Sequence, residues 1–257
     1  MTELARVVEY MDRALDITNV PDYPGAVNGL QMANSGSVDR VAAAVDFSSR
    51  AVRAAADAGA NLLLVHHGMF WGGAQPFTGT RYDRLRELVD HGIAVYSAHL
   101  PLDVHPEYGN NVLLAKRLGL EPTAGFAHFQ NLAVGLQGTS NVLTAQLADA
   151  ARALATEHHG TAVVTPFAPE RVTRRWGVCT GAGASSESLR EAVASGIDTM
   201  IVGEGPQHTA VEAMDQGIVI IYAGHYATET LGVRALAEAL GRRFELGVAF
   251  LDLPTGL

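Results

Sequence analysis

The stretch Leu62-Leu63-Leu64-Val65-His66-His67-Gly68 is a short apolar run closed by two adjacent histidines and a glycine. A run of that length between turn residues reads as a buried strand, and Gly68 lets the backbone turn sharply behind it. Successive side chains on a strand point to opposite faces. At the strand's end, where the chain twists away, both imidazoles can converge on one point. Neutral imidazole is the commonest metal-ligating side chain, so His66 and His67 are candidate ligands. Two ordinary histidines at a strand edge would look the same, so partners must come from elsewhere in the chain.

Repetition supplies them. Ahead of the histidines, a strand leads through Ser48 and Ser49 into a helix ending Ala58-Gly59-Ala60-Asn61. Further on, a strand leads through serines into a helix ending Ser195-Gly196-Ile197-Asp198, and Thr199-Met200-Ile201-Val202-Gly203-Glu204-Gly205 follows. Each copy continues with a helix, a glycine and an apolar strand: Asp90-His91-Gly92-Ile93-Ala94-Val95-Tyr96 answers Asp215-Gln216-Gly217-Ile218-Val219-Ile220-Ile221. Each then presents a histidine, three residues and a carboxylate, His99 to Asp103 and His225 to Glu229. Strands alternating with helices mean α/β layering. Two copies predict two βαβ-rich lobes related by a pseudo-twofold axis, with a metal site in the cleft between them, off the carboxyl ends of the strands. The first lobe is read as residues 1–125. The second, 126–257, comprises a middle segment 126–170, the repeat 171–230, and a tail 231–257 able to pack back on the first lobe.

Composition bounds the function. The 257 residues are 48 % hydrophobic and 18 % charged, which suits a filled core and excludes general disorder. No apolar run approaches the roughly 20 residues that span a bilayer, and Met1-Thr2-Glu3-Leu4 does not read as a signal peptide. The single cysteine, Cys179, excludes a disulfide framework and a Cys-rich zinc site. A reducing cytoplasm is the expected compartment. The net charge of −9 argues against nucleic-acid binding, and no Walker or GxGxxG phosphate loop is present.

Elsewhere the signals are weaker. Residues 3–16 carry apolar positions at helical spacing. A turn-rich stretch from Asn19 to Gly29 leads into Asn28-Gly29-Leu30-Gln31, read as a turn, with site-lining as the second reading. The loop from Met69 to Thr80, rich in glycine and aromatics, is a lid, an oligomer contact or a plain connection. His158-His159 sits where an Ala-rich helix runs out, a position that favours cations through the helix dipole alone.

On this plan His66, His67, His99, Asp103, Glu204, His225 and Glu229 come to one place. Histidines with carboxylates are the ligand chemistry of zinc, iron, manganese or cobalt. Two metals roughly 3.5–4 Å apart require bridging anionic oxygens, which a carboxylate pair supplies. A hydrogen-bonded histidine–carboxylate network without metal is the alternative.

Asn28-Gly29-Leu30-Gln31, Val65-His66-His67-Gly68, His99-Leu100-Pro101-Leu102-Asp103 and Gly224-His225-Tyr226-Ala227-Thr228-Glu229 together resemble the Nif-three-like family of dinuclear-metal-centre hexameric proteins, also described as GTP cyclohydrolase I type 2 homologues. The resemblance runs nearly the whole chain. It implies two divalent metal ions per subunit, held by His66, His67, Asp103, His225 and Glu229. His99 and Glu204 would then lie behind the ligands or face substrate, and are the candidate proton carriers. It also implies a toroidal homohexamer, and a hydrolase acting on a purine nucleotide such as GTP. A metal-binding scaffold or regulatory ring is the alternative function.

Overall fold

The computed structural model describes residues 2–256. In chain order they form β1 (Thr2–Glu3), α1 (Leu4–Ala14), β2 (Gly29–Met32), β3 (Ser37–Val38), β4 (Arg40–Asp46), α2 (Ser49–Asp57), β5 (Leu62–His67), α3 (Thr80–Asp90), β6 (Ala94–Ser97) and α4 (Leu100–Asp103). Next come α5 (Asn110–Arg117), β7 (Ala124–Phe129), β8 (Leu132–Leu143), α6 (Thr144–Glu157), β9 (Val163–Val164) and β10 (Val172–Cys179). The chain ends with α7 (Ser186–Ala194), β11 (Thr199–Val202), α8 (Gln207–Asp215), β12 (Val219–Tyr222), α9 (His225–Phe244) and β13 (Gly247–Phe250).

Two compact units result. The first takes the chain up to Leu102 together with Gly232–Leu253, and the second takes Asp103–Leu231 with the C-terminal residues from Pro254. The first holds a five-stranded sheet in the order β13-β4-β5-β6-β2. Its strands are parallel except β2, which runs antiparallel on the β6 edge. Asn28-Gly29-Leu30-Gln31 therefore opens an edge strand rather than forming a turn. Gly29, at φ +104°, takes the backbone through a conformation that side chains resist. Alternate residues of β4 and β5 (Ala42, Ala44, Leu63, Val65) pack with α2 into one buried core.

The second unit holds a six-stranded sheet in the order β7-β8-β10-β11-β12-β9. Its centre, β10-β11-β12, is parallel, and its flanking strands are antiparallel. The β7–β8 hairpin replaces the looser strand reading of this region, because β8 runs twelve residues and pairs on both sides. The tail's last strand, β13, joins the first unit's sheet beside β4.

Matched turns show why the two parallel cores form the same way. Ser48 and Ser185 cap α2 and α7 with nearly identical backbone angles. Gly59 and Gly196 then end the helices at φ +65° and +67°. Asn61 accepts from the amides of Asp39 and Arg40, and Asp198 accepts from those of Arg174 and Arg175. Each side chain thereby ties the helix exit to the start of the preceding strand.

Candidate functional site

In the first unit, β4 and β5 run in register so that Asp46 lies beside His67. Oδ1 of Asp46 accepts from Nδ1 of His67 at 2.9 Å. Nδ1 of His66, which is fully buried, lies 2.8 Å from the carbonyl oxygen of Ala98, just beyond β6. Nδ1 of His99 lies 2.8 Å from Oδ1 of Asp22. A carbonyl or carboxylate oxygen can only accept, so all three imidazoles carry hydrogen on Nδ1, and Nε2 is the ring atom each can turn toward a metal. One ligand atom from each of His66, His67 and His99 falls within 4.8 Å of the others, so the three can hold a metal ion.

Asp22 is the anchor of this unit's loop. It accepts from the His99 ring, from Nδ2 of Asn28 and from the amide of Leu100. Burial works against its charge, but the His99 imidazole and the other donors hold its carboxyl below the usual range. Gln31 donates to the carbonyls of Ala26 and Val27 and accepts from the amide of Met69, which pins the loop after the histidine pair. A side chain on Gly68 would strike that amide group.

In the second unit, Asp103 is buried and accepts from Nδ2 of Asn110 at 2.8 Å. Asn111 links the same turn to β8 and β10: it donates to the carbonyl of Val134 and accepts from the amide of Thr180. His225 and Glu229 lie one turn apart at the start of α9, with Nε2 and Oε2 3.1 Å apart. Oε1 of Glu204 accepts from Nδ1 of His225 at 2.7 Å. Burial lowers the pKa of His225, but hydrogen bonds and charge from Glu229, then Glu204, outweigh it and raise it to about 9. Burial, with help from the charges of Asp103 and Glu229, pushes the nearby Cys179 thiol up to about 12. Cys179 is therefore a neutral thiol.

The donor set fits a divalent ion on its chemistry. Imidazole nitrogens and carboxylate oxygens suit zinc, iron, manganese and cobalt. Each imidazole gives its other ring hydrogen to an oxygen that fixes the ring and raises its basicity, the arrangement found behind metal-ligating histidines. The model of Duf34/NIF3 (NGG1p interacting factor 3) matches residues 2–255.

The chain belongs to the DUF34/NIF3 family. A relative from Deinococcus radiodurans named "GTP cyclohydrolase 1 type 2 homolog" is 38 % identical over 98 % of this chain and 93 % of its own. One of the same name from Halobacterium salinarum is 40 % identical over 98 % of this chain and 99 % of its own. Among solved structures, protein ybgI, of unknown function, superposes with a TM-score of 0.88 at 33 % identity over 100 % of both chains. TTHA1606 from Thermus thermophilus does so with a TM-score of 0.84 at 35 % identity, again over 100 % of both.

For this DUF34/NIF3 chain, the sequence points to all four imidazoles and to Glu204 behind His225, but not to the carboxylates that orient His67 and His99. Asp22 holds His99 across 77 positions, and Asp46 holds His67 across 21. Neither stands in a motif. Only Asp46, at the carboxyl end of a strand next to the histidine strand, carried a usable signal. Glu204, expected behind the ligands or facing substrate, has one carboxylate oxygen committed to His225. His158 is buried against Thr230 and Tyr226.

Proposed function

We propose that this chain binds two divalent metal ions through His66, His67, Asp103, His225 and Glu229, and is a metal-dependent hydrolase of a purine nucleotide or a related compound. The proposal includes a homohexameric ring and a cytoplasmic setting, to which the reduced, buried Cys179 is suited. The observation that carries the reading is shared by four imidazoles. His66, His67, His99 and His225 all commit Nδ1 to an oxygen acceptor and turn Nε2 to other work. The name borne by the curated relatives supports the substrate class.

The bound ions would acidify a water and stabilise a developing oxyanion. The residues have separable tasks around them. Asp103 and Glu229 supply anionic oxygens, with Asn110 fixing the first. Glu204 orients His225. His99 accepts a proton at Nε2, and the Asp22 carboxylate at Nδ1 stabilises the imidazolium that forms.

Elemental analysis of metal-saturated, desalted protein, beside turnover of GTP and generic phosphoesters, tests this. Two ions per chain with GTP turnover, both lost in an Asp103→Ala, Glu229→Ala double variant, is the expected result. One ion per chain after saturation defeats the dinuclear reading. Metal without turnover favours a metal-binding interaction ring, a reading that the "interacting factor" of the family description supports.

A further inference from the structure

Two large aromatic side chains stand at the imidazole cluster of the first unit, and the metal reading does not use them. Trp71 is 43 % exposed and Tyr23 is 49 % exposed. Their rings meet edge-on with centroids 6.3 Å apart. Trp71 also packs on His99 at 4.5 Å and on His67 at 5.1 Å, and Tyr23 reaches His99 at 6.1 Å.

The rim that carries them is built. Tyr23 follows the anchored Asp22, whose Oδ1 accepts from its amide. Gln31 ties the carbonyls of Ala26 and Val27 to the amide of Met69, two residues before the tryptophan. Gly25 packs so closely on the carbonyls of Phe70 and Trp71 that a side chain there would have to displace backbone. Two loops far apart in sequence are thus locked together, and each presents one exposed ring beside the same imidazoles. Exposed indole and phenol rings held rigidly lose little entropy on capturing a flat partner.

We propose that Tyr23 and Trp71 form a stacking platform that holds the heteroaromatic ring of the substrate beside His67 and His99. The proposal deepens the hydrolase reading and rests on it for the chemistry that follows capture. Capture itself requires no metal. Every base has a π-face, so the platform selects flat heteroaromatic rings over sugars and aliphatic compounds rather than one base over another.

The chain has two tryptophans, and the second, Trp176, is fully buried. Trp71 is therefore a built-in reporter. Full-length protein, metal-stripped and zinc-loaded, is titrated with guanosine and with ribose while tryptophan emission is followed. Saturable quenching by guanosine and none by ribose is expected in both forms. By equilibrium dialysis, Trp71→Ala and Tyr23→Ala each weaken guanosine binding about tenfold, and Trp71→Phe recovers most of the loss. Equal affinity in wild type and Trp71→Ala overturns the platform. So does acrylamide reaching neither tryptophan, which would mean that a second copy covers the rings. Zinc content of the same samples separates the two readings. Guanosine capture without zinc binding sinks the hydrolase and supports the platform. Two zinc ions per chain without guanosine capture sinks the platform alone.

Discussion

Nε2 of His225 lies 3.1 Å from Oε2 of Glu229, one helical turn further along α9. With Glu204 on the other ring nitrogen, the imidazole is clamped between two carboxylates and, without metal, keeps its proton up to about pH 9. A cation taking the Nε2 position must displace that proton. Metal uptake is therefore expected to release a proton at neutral pH. Affinity should rise with pH up to about 9 and flatten above it. Zinc titrations in weakly buffered solution with a pH indicator check this. Release that is absent at pH 7, or affinity that does not change between pH 6.5 and 8.5, would remove His225 from the ligand set.

The same clamp makes the metal-free protein pH-sensitive. The folded pKa of His225 is raised above its unfolded value of 6.5, so the stabilisation is fully present below pH 6.5 and is lost as pH rises through about 9. The linkage is worth about 3 kcal/mol at most, since His225 is only partly exposed. Urea denaturation of metal-stripped protein should show stability falling between pH 6.5 and 9, and Glu229→Gln should flatten the slope.

Gly181 sits at φ +60°, and a methyl group there would overlap Oε1 of Glu229. Gly217 sits at φ +70° with nothing near enough for a methyl group to touch. Gly217→Ala should therefore cost only the backbone conformation, about 1 kcal/mol, and leave metal content intact. Gly181→Ala pays the same cost and also displaces Glu229, a ligand of the proposed centre, so it should lose metal as well. Elemental analysis with urea denaturation separates the two. Equal metal content in both variants would argue against Glu229 as a ligand.

What could be read from the sequence follows from what each feature depends on. Strand–helix alternation and the glycine stops are local, and β4-α2-β5-α3-β6 and β10-α7-β11-α8-β12 stand where their residues put them. The histidine and carboxylate spacing is local too. Asp22 was beyond reach, and Gln31 and Trp71, though they stand in a motif and an aromatic loop, carry no readable role in the sequence, because those roles depend on which loops meet. Nothing in Asn19 to Gly29 indicates that Asp22 will face His99, or that the loop after Gly68 will bring Trp71 to the same ring. Asn28 and Gly29 are turn residues by local preference, and pairing with β6 overrides that preference to make the edge strand β2.

Asn110 stands behind Asp103 as Glu204 stands behind His225. Its Nδ2 donates to Oδ1 of Asp103 in a buried setting. A hydrogen bond to a charged group contributes roughly 1.5–3 kcal/mol, and residues behind metal ligands typically affect affinity 10–100-fold. Asn110→Leu keeps the volume and removes the donor. It should destabilise metal-free protein by about 2 kcal/mol and weaken zinc binding by at least about tenfold. Competition with a chromophoric chelator measures the second effect. Unchanged zinc affinity would show that Asn110 serves the fold alone.

Asn61 and Asp198 do the same job in the two units, one with an amide and the other with a carboxylate. Each accepts from two successive backbone amides at the start of the preceding strand. The charge is therefore dispensable at Asp198, where one carboxylate oxygen takes both amides and the other accepts from the Thr199 hydroxyl. An asparagine oxygen can take the amides, and its NH2 can donate to a hydroxyl that turns to accept. Asp198→Asn should change stability by less than about 1 kcal/mol. Asp198→Ala and Asn61→Ala should each cost roughly 1–2 kcal/mol, since each removes two hydrogen bonds to amides of exposed residues, which water replaces only in part. Urea denaturation of the three variants is the measurement. If Asp198→Asn were as damaging as Asp198→Ala, the matched turns would be alike in shape but held by different forces.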